Sequence, residues 1–160
     1  MTDTSSNLIL ISKDPKAKAI LDGLSLNCLT VKNAETGEVV WRSDDWSDTV
    51  FTQVMEAHLP ARTLSFPAVG REITFASREL IKDLRIEQNV IVHGNQVEQW
   101  NYRFHFVIPN SENTWETIVE SAGEGHMLPA EFLSGNMYIV TSFFDGDLFI
   151  SRSVVRVFYE

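Results

Sequence analysis

Apolar and polar residues alternate along much of the chain, which is the pattern of a strand with one buried and one solvated face. The clearest run has apolar residues at every even position from 100 to 108, with polar residues at the odd positions from 99 to 105. Leu24, Leu26 and Cys28 repeat the period of two nearer the N-terminus. Both runs therefore predict strands that cover a common core.

Turn signals separate the alternating runs. The segments NAETG at 33–37, HGN at 93–95 and DGD at 145–147 predict turns between antiparallel strands. Residues 71–75, 137–144 and 148–159 are rich in β-branched and aromatic residues and predict further strands. Many short strands with almost no helix indicate an all-β chain folded as an antiparallel β-sandwich.

One short helix is predicted near the N-terminus, over residues 15–21. Asp14 would cap it, Pro15 suits its first turn and Gly23 would end it. Residues 80–86 and 129–133 are the other places where a helical turn would fit. We expect residues 1–13 to form a flexible extension and residues 14–160 to form a single domain.

Composition and charge limit the classes of partner. The 160 residues are 44% hydrophobic, which fits one compact domain. A net charge of −9 would repel the phosphates of nucleic acid and an anionic membrane surface. Cys28 has no second cysteine to pair with, and no apolar segment is long enough to span a membrane. These features predict a cytoplasmic protein that does not bind nucleic acid and is not integral to a membrane.

Signatures of catalysis and of metal binding are missing from the sequence. The four histidines lack the spacing of metal ligands, and one cysteine cannot supply a thiolate cluster. There is no phosphate-binding P-loop, no dinucleotide fingerprint and no nucleophile elbow. We therefore expect no catalytic residue, no metal and no cofactor.

Large apolar residues are unusually numerous for an all-β chain, with ten Phe, four Trp, three Tyr and four Met. Composition leaves two explanations open. The sheets are longer than those of a minimal sandwich, or they are splayed around an apolar cavity of the kind that a lipid chain requires.

Several segments resemble the prenyl-binding protein delta family, which is also known as the family of the delta subunit of rod cyclic-GMP phosphodiesterase. They are NAETG at 33–37 leading into Trp41, RIEQ at 85–88, and FVIPNS at 106–111 followed by NTW at 113–115. FFD at 143–145, DL at 147–148 and VRVFY at 155–159 continue the resemblance, which covers the chain from about residue 17 to its end.

The resemblance implies an immunoglobulin-like β-sandwich whose two sheets enclose a hydrophobic pocket for a farnesyl or geranylgeranyl group. It implies a lipid-binding chaperone that solubilises prenylated proteins and delivers them between membranes. The expected cargo is prenylated small GTPases of the Ras, Rho and Rab types and prenylated cyclic-GMP phosphodiesterase subunits. GTP-bound Arf-like small GTPases would release it.

Two alternatives to this function stay open at the level of sequence. The chain could bind myristoylated N-termini instead, or act as a regulatory subunit of a cyclic-nucleotide phosphodiesterase. For the carrier function, a ciliary or transiently membrane-associated pool would be the alternative to a purely cytoplasmic location. The sequence does not separate farnesyl from geranylgeranyl preference.

The resemblance also implies the lipid-binding residues. The positions that match the apolar lining of the family's pocket are Leu29, Val31, Trp41, Leu64, Val69, Ile73, Trp100, Val119, Met127, Leu128, Ile139, Phe143, Val157 and Tyr159. Arg71, Gln88 and Glu98 match polar pocket residues that would hydrogen-bond the cargo's ester or backbone. Ordinary core packing is the alternative for each apolar position, and a surface ion pair with Glu72 or Glu98 is the alternative for Arg71.

Overall fold

The computed structural model describes residues 8–44, 46, 50–121 and 128–160. In this part of the chain ten strands and two short α-helices follow one another, with a 3₁₀ helix at Ala61–Ser65. Their bounds are β1 (Leu10–Ile11), α1 (Pro15–Gly23), β2 (Leu24–Asn33), β3 (Val39–Asp44), β4 (Met55–Leu59), β5 (Ala68–Ser77), β6 (Ile81–Val92), β7 (Asn95–Val107), β8 (Glu112–Glu120), α2 (Ala130–Leu133), β9 (Met137–Asp145) and β10 (Leu148–Tyr159).

The strands form two sheets. The larger sheet has the order β1-β10-β9-β6-β7, and the smaller has the order β3-β2-β5-β8. β1 and β4 share one edge of β10, where β1 pairs with Ser151 and Arg152, and β4 pairs further along with residues 155–159. The predicted all-β sandwich is confirmed, with one departure, because β4 runs parallel to β10 and every other described pair is antiparallel. The long chain segment between β4 and β10 supplies the connection that a parallel pair needs.

The predicted turns are present. β6 and β7 are joined by His93 and Gly94, which have φ angles of 49° and 81°. Two successive residues with positive φ match the right-handed twist of the flanking strands, as in a two-residue hairpin turn. β2–β3 and β9–β10 turn at the other two predicted segments.

Local sequence accounts for α1. The Asp14 Oδ1 atom accepts hydrogen bonds from the backbone N–H groups of Lys16 at 2.8 Å and Ala17 at 3.3 Å. The helix buries Ala17 and Ile20 and extends two residues beyond the predicted end. The helical turn expected at 129–133 is confirmed as α2, whereas the one at 80–86 is wrong, because most of that segment belongs to β6.

The alternation along β7 breaks at His105, which has a φ of 77°. Even positions from 100 to 104 are half-buried, but beyond the break Phe106 is 56% exposed and Ile108 is 61% exposed, while Val107 is fully buried. The pairing register with β6 shifts at the same place. A β-bulge therefore reverses the faces of the strand, and the expected single apolar face through position 108 ends at Phe104.

Part of the segment expected as a flexible extension is ordered. Leu10–Ile11 pairs with β10, and the Ser12 backbone N–H donates to the Ile150 carbonyl at 3.0 Å. Residues 1–7 lie outside the described part of the chain. Among the described residues, no helix is both long enough and apolar enough to cross a membrane.

Candidate functional site

A cavity of about 370 Å³ lies between the two sheets. Its walls come from β2, β3, β5 and β8 of the smaller sheet and from β4, β6, β7, β9 and β10 of the larger one. Inward positions on these strands are mostly apolar, because a period of two sends every second side chain toward the facing sheet. The volume is in the range of pockets that hold small organic ligands.

The two ends of the cavity differ in exposure. At one end the lining residues Val97 and Leu128 are 51% and 45% exposed, and Glu98 is exposed beside them. At the other end Phe75 and Leu84 are almost fully buried. We call the first end the mouth and the second the floor.

Sixteen of the seventeen predicted site residues line this cavity; they are Leu29, Val31, Trp41, Leu64, Val69, Arg71, Ile73, Gln88, Glu98, Trp100, Val119, Leu128, Ile139, Phe143, Val157 and Tyr159. Met127 lies outside the described residues. The structure thus brings together side chains from β2, β3, β5 to β10, the 3₁₀ helix and the segment before α2. Their role in lipid binding stays a prediction.

Other lining residues were not predicted. Leu26, Phe75 and Leu84 form part of the floor, and the polar residues Thr117, Thr141 and Ser153 also reach the cavity. The signal that would have found several of them is strand alternation, because Leu84 lies two positions from Ile86 and four from Gln88 on the same face of β6. Alternation alone does not distinguish a residue that lines a cavity from one that fills a core.

Arg71 lies inside the sandwich. One guanidinium nitrogen, Nη2, is 3.4 Å from the Tyr102 hydroxyl, while the buried Nε has no hydrogen-bond partner among the described residues. The alternative of a surface ion pair is wrong, because Glu72 pairs with Lys32 and Glu98 accepts a hydrogen bond from the Trp100 indole N–H. Burial lowers the pKa of the Arg71 guanidinium, since desolvation disfavours its charge.

The other polar groups of the cavity are few and specifically placed. The Gln88 amide donates to the Thr141 hydroxyl at 3.1 Å, and its oxygen is buried without a partner in the described part of the chain. Burial raises the pKa of Tyr159 to about 12, so its hydroxyl stays neutral at physiological pH. The site is therefore an apolar chamber with a small number of polar anchors, which is suited to holding a hydrophobic ligand in one orientation.

The family model described as "GMP-PDE, delta subunit" matches residues 18–159 of this chain. The chain belongs to the GMP-PDE delta subunit family. The match begins in α1 and ends at the last residue of β10, so it includes all nine described strands that line the cavity. Of the described elements, β1 and the start of α1 precede it.

Membership in the GMP-PDE delta subunit family confirms the resemblance found in the sequence and the immunoglobulin-like class of the sandwich. Proteins of this family are prenyl-binding, phosphodiesterase-associated factors that bind and solubilise other proteins and are not enzymes. The expectation of a binding protein is confirmed at that level.

Proposed function

We propose that this chain is a carrier that takes the farnesyl or geranylgeranyl group of a prenylated protein into the cavity and moves that protein between membranes. The observation that carries the proposal is the apolar cavity with a mouth at one end and a buried floor at the other. Transfer of a prenyl chain from water to such a cavity is favoured by roughly 0.8 kcal/mol per CH₂. Burial of the prenyl group alone therefore lets the cavity compete with a bilayer.

The proposed cargo comprises prenylated small GTPases of the Ras, Rho and Rab types and prenylated phosphodiesterase subunits. Because the recognised group is the lipid, proteins of different folds can share the same cavity. The net charge of −9 supports a carrier that leaves an anionic membrane surface once it is loaded. A cytoplasmic location, with a ciliary or transiently membrane-associated pool, fits this function.

Release is proposed to follow binding of a GTP-loaded Arf-like GTPase. Such an effector expels cargo only if it binds the state with low cargo affinity better than the loaded state. Strand addition at a sheet edge is the expected docking mode. Among the described strands, β1, β3, β4, β7 and β8 each pair with a neighbour on one side only, and β7 is the longest of them.

The proposal is tested by titrating fluorescent peptides that carry a farnesyl, geranylgeranyl or myristoyl group, or no lipid. We expect both prenylated peptides to bind and the unmodified peptide not to bind. Trp100→Ala removes a large aromatic side chain from the cavity wall. The substitution is expected to weaken prenyl binding about tenfold or more. The matched control is Phe106→Ala, because Phe106 is exposed and is not part of the cavity lining.

Each outcome of the titration has a defined meaning. Unchanged prenyl affinity in Trp100→Ala would refute the assigned site. A preference for the myristoyl peptide would replace the proposed cargo with acylated N-termini. Cargo dissociation that stays the same after addition of the GTP-loaded effector would refute the release mechanism.

The family's association with phosphodiesterase favours one second candidate function, that of a regulatory phosphodiesterase subunit. In that case lipid capture would only strengthen attachment to the catalytic subunit. Retention of binding to an unprenylated catalytic subunit, measured by co-sedimentation, would support this second function. Loss of binding without the prenyl group would support the carrier.

A further inference from the structure

A group of polar side chains lines the cavity between its mouth and its floor. Gln88, Thr141 and Ser153 are paired in register on the neighbouring strands β6, β9 and β10, and all three line the cavity. On the facing sheet Arg71 and Thr117 are paired on β5 and β8 and also line it. We call these five residues the polar belt.

The two halves of the belt lie within about two residues of each other along the strands. The Arg71 guanidinium is 3.4 Å from the Tyr102 hydroxyl, and Tyr102 is paired with Ile86, two residues before Gln88. The Arg71 guanidinium of the smaller sheet therefore faces the part of β6 that contains Gln88. The belt is a feature of both walls and not a chance polar residue on one strand.

The belt divides the cavity into two apolar compartments. The outer compartment, next to the mouth, is bounded by the buried cluster of Val90, Val92 and Leu133. The inner compartment ends at the floor, where Phe75 and Leu84 belong to the larger buried cluster. Leu84 is four residues from Gln88 along β6, so the inner compartment is roughly 13 Å long on this wall.

A hydrocarbon ligand leaves the belt unsatisfied. The Arg71 Nε and the Gln88 Oε1 are both buried without partners among the described residues, and a prenyl chain offers neither a donor nor an acceptor. The Arg71 guanidinium has a 3.4 Å hydrogen bond to the Tyr102 hydroxyl and a longer-range attraction from Glu98, but no ion pair among the described residues. A buried charge without a directly paired counter-charge is costly, so a ligand that brings an anion to Arg71 removes a penalty that a prenyl chain cannot remove. The Gln88 amide can turn either its oxygen or its nitrogen toward a ligand, because its partner Thr141 has a hydroxyl that donates or accepts.

We propose that the polar belt is a subsite for the carboxylate of a free long-chain carboxylic acid, with the carboxylate on Arg71 and the hydrocarbon tail in the inner compartment. A planar guanidinium matches a carboxylate with paired, charge-assisted hydrogen bonds, whereas a methyl ester is neutral and accepts weaker ones. This ligand class goes beyond prenylated cargo. Because both ligands use the inner compartment, the acid and a prenyl group compete for it.

The decisive comparison is between dodecanoate and methyl dodecanoate, two ligands with the same apolar tail. We measure their affinities for the full-length protein by competition against a fluorescent farnesylated peptide. In the wild type we expect the acid to bind about ten to a hundred times more tightly than the ester, as charge-assisted hydrogen bonds predict. Arg71→Met is expected to abolish the difference by weakening the acid without weakening the ester.

The control variant is Arg42→Met, which removes a positive charge from the same sheet at a residue that is exposed and does not line the cavity. It is expected to keep the wild-type preference for the acid. If the preference for the acid depended only on net charge, Arg71→Met and Arg42→Met would lose it to the same extent. That result would overturn the assignment to Arg71. Equal affinities of acid and ester for the wild type would also overturn it, and that comparison requires no variant to fold.

A further arm separates two sources of carboxylate. Farnesylcysteine as the free acid and as the methyl ester reports whether the cargo's own C-terminus reaches the belt. If only this pair is discriminated and the dodecanoate pair is not, the assignment of a free fatty acid is refuted. If the farnesylated peptide binds and dodecanoate does not displace it, the proposal for the belt fails while the carrier function stands.

Discussion

At the scale of single residues, Lys32 holds two carboxylates that face each other across neighbouring strands. Its Nζ atom lies 2.6 Å from both Glu72 and Glu116, which are paired in the register of β5 and β8. The hydrogen bond to Glu116, followed by that to Glu72, raises the pKa of Lys32 to about 12. Its aliphatic stem passes over Gly70, where an added Cβ would lie 3.1 Å from the Lys32 Cγ.

Lys32→Met is therefore expected to lower the melting temperature by a few degrees at low ionic strength, because directly opposed like charges destabilise a sheet. Thermal unfolding followed by circular dichroism measures the change. Adding Glu116→Gln to Lys32→Met is expected to restore most of the loss. A melting temperature that stays unchanged in the single variant would contradict this account.

His58 is a second residue whose charge state matters. Its Nδ1 atom is 2.7 Å from the Glu160 carboxylate, its Nε2 atom is 3.2 Å from that of Glu56, and its ring stacks on Phe158. The hydrogen bond with Glu160 is the main reason that the pKa of His58 is raised, and Glu56 adds to it. A pKa that is higher in the folded state than in the unfolded state means that the protonated imidazole stabilises the fold.

That stabilisation is fully present below the unfolded pKa of about 6.5 and disappears as the pH rises through the folded value. The melting temperature of His58→Gln is therefore expected to be lower than that of the wild type at pH 6 and equal to it at pH 9. A series of melting curves between these pH values tests the prediction. A difference between the two proteins that does not vary with pH would show that His58 contributes through packing alone.

The behaviour of Arg71 shows what sequence reveals about a residue and what it does not. Resemblance placed Arg71 in the pocket, but its lack of an ion pair depends on the fact that Glu72 and Glu98 are engaged by Lys32 and Trp100. Glu98 and Trp100 lie two positions apart on β7, but Lys32 and Glu72 belong to different strands, β2 and β5. No pattern along one strand reveals the pairing of Lys32 with Glu72.

At the scale of elements, strands with strong alternation or with hairpin turns were predictable, whereas β4 was not. β5, β7, β9 and β10 follow from their residue patterns. β4 has five residues and pairs in parallel with residues that lie one hundred positions later in the chain, so neither its composition nor an adjacent turn predicts it. The bulge in β7 was missed because His105 adopts a positive φ that is usually associated with glycine or asparagine.

The edge of β10 supports a prediction about β1. β1 covers this edge at Ser151 and Arg152, beyond the part covered by β4, and it precedes the family match. An uncovered edge exposes unpaired backbone groups that can pair with a second chain. A variant lacking residues 1–11 is expected to exchange backbone amides faster near Ser151 and to self-associate in sedimentation velocity experiments.

Prenyl binding by the truncated protein is expected to match that of the full chain, because β1 does not line the cavity. Leu10→Lys is the matched control, since it changes an exposed side chain and leaves the backbone pairing of β1 in place. Identical sedimentation and amide exchange in the truncated and full-length proteins would show that β1 does not protect the edge.

At the scale of the whole molecule, composition had left open whether the excess of aromatic residues reflects long sheets or a cavity, and both are present. β6 and β10 have 12 residues each and β7 has 13, and the sheets enclose about 370 Å³. Strand length follows from the residue pattern, whereas the volume depends on the distance between two sheets. That distance is set by side chains from many strands at once, so resemblance predicted the cavity and local patterns did not.

A ligand that binds in the cavity increases the stability of the folded chain. A ligand that binds the folded chain alone, at a free concentration one hundred times its dissociation constant, stabilises the fold by about 2.7 kcal/mol. For a domain of this size that corresponds to a rise in melting temperature of roughly 5 to 10 °C. A farnesylated peptide is expected to produce this rise in differential scanning fluorimetry, and the same peptide without the lipid is not.

Trp100→Ala provides the internal check on that shift. At the same peptide concentration its weaker binding should reduce the rise in melting temperature, and a higher concentration should restore it, because the shift depends on the ratio of free ligand to dissociation constant. A ligand that bound a surface patch exposed equally in the folded and unfolded chain would give no rise in either protein. Equal shifts in the wild type and in Trp100→Ala at every concentration would mean that the stabilising ligand lies outside the cavity.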